Sequence, residues 1–150
     1  MKRAVIEVTG MSVKKQMRFV ILEHEPGVLF ARTAAIHYDW MFEVKDSLRT
    51  FATDPIDLLA QEIQSNLPAT ELAKHRRDYL HLRGDIGRER GCVTEIARGT
   101  YQVNKSNQDD CFDVLLSFQQ PCFKNPIHCN FSRRTSDSKN SSWILEIMID

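Results

Sequence analysis

Residues His37 to Val44 read His-Tyr-Asp-Trp-Met-Phe-Glu-Val, an alternation that constrains the fold more than any other stretch of the chain. In a β-strand successive side chains face opposite sides, so Tyr38, Trp40, Phe42 and Val44 share one face and His37, Asp39, Met41 and Glu43 the other. The aromatic face suits the core of a barrel or sandwich. The other face carries two metal-ligating residue types two positions apart, roughly 6–7 Å along the backbone, close enough to hold one ion.

The remaining pattern is also largely β. Leu48 to Thr53 follows a tight turn at Lys45-Asp46-Ser47, which predicts a hairpin with the first strand. Upstream, Met17 opens the run Arg18-Phe19-Val20-Ile21-Leu22-Glu23-His24, and Glu25-Pro26-Gly27 signals a turn. From there to Ile36 a loop with a short helical piece is expected. Residues 1 to 16, with a short strand at Ala4 to Val8, are expected to form an extension to one domain spanning 17 to 150.

Asp54 as N-cap, Pro55 at the first helical position and an apolar stripe of Ile56, Leu59, Ala60 and Ile63 predict a short helix ending near Ser65. Residues 69 to 77 are expected to begin as a second helical turn before a strand over Asp78 to Leu82. Further strands are expected over Gly91 to Ala97, Thr100 to Val103, Cys111 to Phe118, Ile127 to Phe131 and Trp143 to Ile149. The Arg98-Gly99 corner separates the first two, and Ser132 to Ser142 reads as a polar loop. Many short strands with no βαβ rhythm predict a mainly β chain: a small closed or nearly closed β-barrel with one or two short helices.

Composition narrows the function classes. The formal charge is zero, so no global basic field announces nucleic acid. The positive residues are nonetheless concentrated, with seven Lys/Arg against four acids between Lys74 and Arg98. No apolar run reaches membrane-helix length, and the apolar stretch after Lys2-Arg3 breaks at Glu7, too early for an export signal. A cytoplasmic location with reduced Cys92, Cys111, Cys122 and Cys129 is therefore expected. Cys122, His128 and Cys129 invite a zinc reading, but adjacent His-Cys ligation is awkward and a fourth ligand is not evident.

A hydrolytic metal site needs a third ligand beside His37 and Asp39. His24 ends the preceding strand, which an antiparallel sheet would bring alongside, and His75 precedes the next β segment. Imidazole with carboxylate suits a divalent metal such as Mn²⁺ or Zn²⁺.

Several segments occur in a telling order: Arg18 to His24, His37 to Glu43, Leu48-Arg49-Thr50-Phe51-Ala52, His75-Arg76-Arg77-Asp78-Tyr79 and Arg98-Gly99-Thr100-Tyr101. Together they resemble the 3′-phosphoesterase domain of bacterial DNA ligase D. The likeness runs from about Met17 to Tyr101, with a weaker echo in Trp143-Ile144-Leu145. It implies a small β-barrel whose concave face carries a manganese-dependent site, trimming a 3′-ribonucleoside and then a 3′-phosphate during break repair. By matching position His24, His37 and Asp39 would hold Mn²⁺ or another divalent metal. His75 would contact the phosphate or move a proton, and Tyr79 would support it.

The likeness has departures. Met41 stands where the family strand carries Arg. Asp54 and Pro55 fall where a Lys is expected, and an expected Arg falls near Leu67. The interval from His24 to His37 is also longer. Arg49, Arg76 and Arg77, or Arg83, are the candidates to replace the lost phosphate contacts. The expected partners are nucleic-acid 3′ ends and repair ligase or polymerase proteins, with no membrane and a monomeric state. The alternative is a non-catalytic module for DNA ends or repair proteins that kept the barrel and lost the clamp.

Overall fold

The computed structural model describes residues 16–27, 35–60, 66–87, 90–107, 110–120, 126–134 and 142–149. Nine strands carry almost all of its regular structure: β1 (Met17–Pro26), β2 (His37–Val44), β3 (Ser47–Thr53), β4 (Asn66–Arg76), β5 (Gly84–Asp85), β6 (Gly91–Asn107), β7 (Cys111–Phe118), β8 (Ile127–Arg133) and β9 (Trp143–Ile149). They form one antiparallel sheet in the order β1-β2-β3-β4-β9-β8-β7-β6-β5, and β1 also pairs with β6, so the sheet closes nearly into a ring. Two long strands turn its corners by serving two neighbours in succession. β4 pairs with β9 over Asn66 to Ala69 and with β3 from Ala69 onward. β6 pairs with β1 up to Tyr101 and with β7 from Gly99. The expected Arg98-Gly99 corner is thus a bend within one strand. A Cβ on Gly99 would lie 1.9 Å from the Ser117 carbonyl oxygen, so only glycine lets β6 approach β7 there.

The predicted β2–β3 hairpin forms, with Val44 opposite Ser47 and a two-residue turn at Lys45-Asp46. Lys45 takes the positive φ (55°) that such a turn demands. Four local expectations fail. β1 continues to Pro26, paired with Gly91, because an end-of-strand proline needs no ladder donor. Residues 54–60 hold no helix: Leu58 is buried and Leu59 exposed, the reverse of the expected stripe, and 61–65 lie outside the described residues. Residues 69–76 are strand, paired with β3 in place of a helical turn. Arg77–Leu80 is a single turn of 3-10 helix where a strand was expected, and it is the only helical piece among the described residues. Strand pairing and core packing with residues distant in sequence outweighed local propensity in these segments. Residues 1–15, carrying nearly all of the expected extension, lie outside the described residues, as do the interval 28–34, Cys122 and 135–141.

The alternation of β2 divides two cores. Tyr38, Trp40 and Phe42 join Phe19, Ile21, Phe51, Phe112, Phe131, Trp143 and others inside the ring. Their rings meet edge-on or stacked, Phe51 against Phe131 at 4.2 Å and Phe42 against Phe112 at 5.1 Å, contacts worth about 0.5–1.5 kcal/mol each beyond area burial. On the outer face Val20, Leu22, Met41, Leu48 and Val93 form a second cluster, roofed by Tyr79 and Leu80 of the 3-10 turn, with Leu82 and Ile86 at its edge. Arg83 and Arg98 pin that roof. Both pair with Glu95, and both donate to backbone carbonyls of the 79–82 segment. Every residue of β2 up to Glu43 is consequently buried. No helix among the described residues is long and apolar enough to cross a membrane.

Candidate metal centre

Strand register brings the predicted ligands together. His24 is opposite His37 across β1–β2, and Leu22 is opposite Asp39. Since Asp39 follows His37 by two, its carboxylate emerges on the same face as both imidazoles. His24, His37 and Asp39 are 4%, 5% and 3% exposed. Their candidate donor atoms all lie within 4.8 Å of one another, the one such group of three among the described residues. It sits on the outer face of the ring, beside the second apolar cluster, and not on the concave side that the resemblance implied. The concave side is filled by aromatic side chains.

Backbone carbonyls fix both imidazoles. His24 Nε2–H donates to the Arg90 carbonyl at 2.9 Å, and His37 Nδ1–H donates to the Ala35 carbonyl at 3.0 Å. These bonds assign the tautomers. The lone pairs then fall on His24 Nδ1, 3.6 Å from Asp39 Oδ2, and on His37 Nε2, 3.3 Å from Asp39 Oδ1. Both distances exceed the roughly 2.7–2.9 Å of a charge-assisted hydrogen bond. Asp39 Oδ1 is buried with no hydrogen-bond partner. Burial pushes the Asp39 carboxyl up, and protonation of the two facing nitrogens, which turns each into a charged N–H donor, pulls it down by more, so its pKa lies below the ordinary range.

A buried carboxylate oxygen left unsatisfied costs about 1–3 kcal/mol or more. A cation among the three donors would remove that cost. Two nitrogens and one carboxylate, each nitrogen oriented from behind by a carbonyl, are a donor set suited to Mn²⁺, Fe²⁺ or Zn²⁺. The residues therefore fit the metal that the resemblance implies.

Other predicted residues divide sharply. His24 and Asp39 line a cavity of about 110 Å³ together with Leu72, His75, Tyr79, Ile86, Arg90 and Val93. His75 and Tyr79 thus reach the triad's cavity, their rings packed edge-to-face at 5.1 Å. His75 Nδ1–H donates to the Ala73 carbonyl at 3.0 Å, which makes Nε2 the nitrogen able to exchange a proton. A wider cleft of about 510 Å³ adjoins, sharing His75, Tyr79, Ile86 and Arg90 and adding Lys74 and Arg76.

Arg49 and Arg77 are elsewhere. Arg49 is on the inner face of β3, paired with Glu71 at 2.9 Å and stacked over Phe112 and Phe51. Arg77 donates to Glu43 at 2.5 Å, and Arg18 donates to the same carboxylate at 2.9 Å. Arg83 is committed to Glu95. Met41 is 1% exposed within the outer apolar cluster. The zinc reading dissolves in β8: Cys129 points into the core and His128 pairs with Asp113 outside, while Cys122 lies outside the described residues. Cys92, Cys111 and Cys129 are free thiols.

Sequence reasoning passed over Arg90. Its signal was faint, a position between two glycines in the run Gly87 to Gly91. Gly91 has φ +107°, and a Cβ there would lie 1.9 Å from the Glu25 carbonyl oxygen. Only glycine allows this tight approach, which sets the neighbouring Arg90 carbonyl against His24.

Scanned against protein-family models the chain has no match, and no curated protein matches it at a significant level.

Proposed function

We propose that the protein is a divalent-metal-dependent phosphoesterase, acting on phosphate esters at nucleic-acid 3′ ends, as in the ligase D 3′-phosphoesterase domains it resembles. The observation that carries this reading is the convergence of His24, Asp39, His75 and Tyr79 on one cavity, with His37 completing the donor group. The bound metal would neutralise phosphate charge and activate a nucleophile. His24 and His37 hold their positions through the Arg90 and Ala35 carbonyls. His75 Nε2 gives or takes a proton at the mouth of the cavity. The outer apolar cluster keeps bulk water from the donors' flank, which strengthens charge interactions there.

The test is a primer-template ending in a 3′-ribonucleotide or a 3′-phosphate, incubated with the protein and Mn²⁺. The reading expects a shortened or dephosphorylated end, lost in His37→Ala and at least about 100-fold slower in His75→Ala. An untouched end with pure, Mn²⁺-loaded protein would reject the activity. One observation favours the second reading, a binding module without catalysis: Met41 is buried among apolar neighbours where the family carries an arginine. That reading expects retention of the DNA end without turnover.

A further inference from the structure

We propose that Arg90 is the oxyanion-binding residue of this cavity, and that anion binding at Arg90 is coupled to cation binding at His24, His37 and Asp39. The inference rests on the metal-site reading above and names the group that replaces the missing clamp.

Arg90 takes part in the site twice. Its carbonyl accepts from His24 Nε2, and the residue lines both the small cavity and the wider cleft. The residue is held firmly: its backbone N–H donates to the Gly87 carbonyl at 3.0 Å and its guanidinium donates to the Ile86 carbonyl at 3.2 Å. The guanidinium has five N–H donors. Its Nε is buried and has no hydrogen-bond partner. Asp39 Oδ1, on another residue lining the same cavity, is the complementary case, a buried acceptor with no donor.

These two atoms have opposite needs. A cation among the triad would satisfy Asp39 but raise the positive potential around Arg90. An oxyanion would satisfy the Arg90 donor but bring negative charge towards Asp39. Each ion bound alone leaves one group worse off, and the pair together relieves both. Each ion must then raise the affinity for the other by the same factor. The cavity of about 110 Å³ is several times the roughly 10–15 Å³ that one water requires. A tetrahedral oxyanion such as a phosphate monoester matches the fork of a guanidinium. Lys74 and Arg76 in the adjoining cleft would face whatever the ester carries beyond its phosphate.

The experiment is calorimetric titration of the full chain with Mn²⁺, with and without millimolar inorganic phosphate at constant ionic strength, for wild type, Arg90→Gln and Arg90→Lys. Wild type is expected to bind Mn²⁺ at least tenfold more tightly with phosphate. Arg90→Gln keeps the main-chain carbonyl and removes a positive charge that opposes the cation, so its Mn²⁺ affinity without phosphate should rise and the phosphate enhancement should vanish. Arg90→Lys retains charge without the fork and should keep only part of it. If wild type binds Mn²⁺ but phosphate adds nothing, or if Arg90→Gln retains the full enhancement, the inference about Arg90 is wrong and the metal site stands. If wild type binds no Mn²⁺ with or without phosphate, the metal-site reading fails and the coupling with it. Should Arg90→Gln not fold, the wild-type and Arg90→Lys titrations still decide.

Discussion

Asp39 and Glu43 stand four residues apart on one face of one strand, and both are 3% exposed. They have opposite surroundings. Glu43 receives Arg18 through its backbone N–H, Nε and guanidinium NH2, and Arg77 through a second guanidinium. The Arg18 hydrogen bonds, outweighing burial and aided by Arg77, hold its carboxyl at about 2. Asp39 faces two imidazole nitrogens at 3.3 and 3.6 Å and keeps one buried oxygen without a donor. A saturated carboxylate ties strands together. An unsaturated one, with lone pairs aimed around it, belongs to a donor group that could hold a cation. Met41 lies between them on the same face, an apolar spacer packed with Val20 and Leu22.

Substitution can break this contrast. Asp39→Asn should lower Mn²⁺ affinity by 100-fold or more, roughly 2.7 kcal/mol, while stability in urea stays within about 1 kcal/mol because its two imidazole contacts are long and one of its oxygens has no hydrogen bond to lose. A melt that collapses while Mn²⁺ binding persists would reverse the assignment of the two carboxylates. Glu43→Gln should do the converse: stability falls by about 2 kcal/mol as its guanidinium contacts weaken, with Mn²⁺ affinity unchanged.

Acid sharpens the same comparison. Glu43 has a folded value depressed from 4.5 to about 2, so its contribution is complete above the unfolded value and is lost as pH falls from about 4.5 towards 2. Denaturation midpoints should drop across that window in wild type and more shallowly in Glu43→Gln; parallel curves would remove Glu43 from the account. The smallest effect belongs to the spacer. Met41→Leu should cost less than about 1.5 kcal/mol and leave Mn²⁺ binding untouched, and a large loss of binding would mean that Met41 does more than pack.

The His24, His37 and Asp39 group was legible because a strand's two-residue period is a local property. His37 and Asp39 had to share a face once β2 was a strand, and His24 needed only an antiparallel neighbour. The arginines were not legible. Arg49 and Arg77 resembled Arg76 and Arg90 as residue types, yet a one-position difference in β3 put Arg49 on the inner face with Phe51. The helix expected after Asp54 had a cap, a first-turn proline and an apolar stripe, but residues 54–60 are irregular chain and a turn with Leu58 inserted into the core. Propensity is worth a few tenths of a kcal/mol per residue, and burying one leucine about 1.5–3 kcal/mol.

By itself, then, the sequence determined the β character of the chain, the division of β2 into an aromatic and a polar face, and the histidines and aspartate that share the latter. These follow from spacing along one backbone. The tertiary structure decided which face lies outside the ring, which carbonyls orient His24 and His37, and which arginine reaches the cavity. Those outcomes depend on pairings across tens of residues, such as His24 with Val93 and Gly91 against Pro26. They are set by closing the sheet, where a backbone approach such as that of Gly91 to Glu25 positions groups that no local pattern connects.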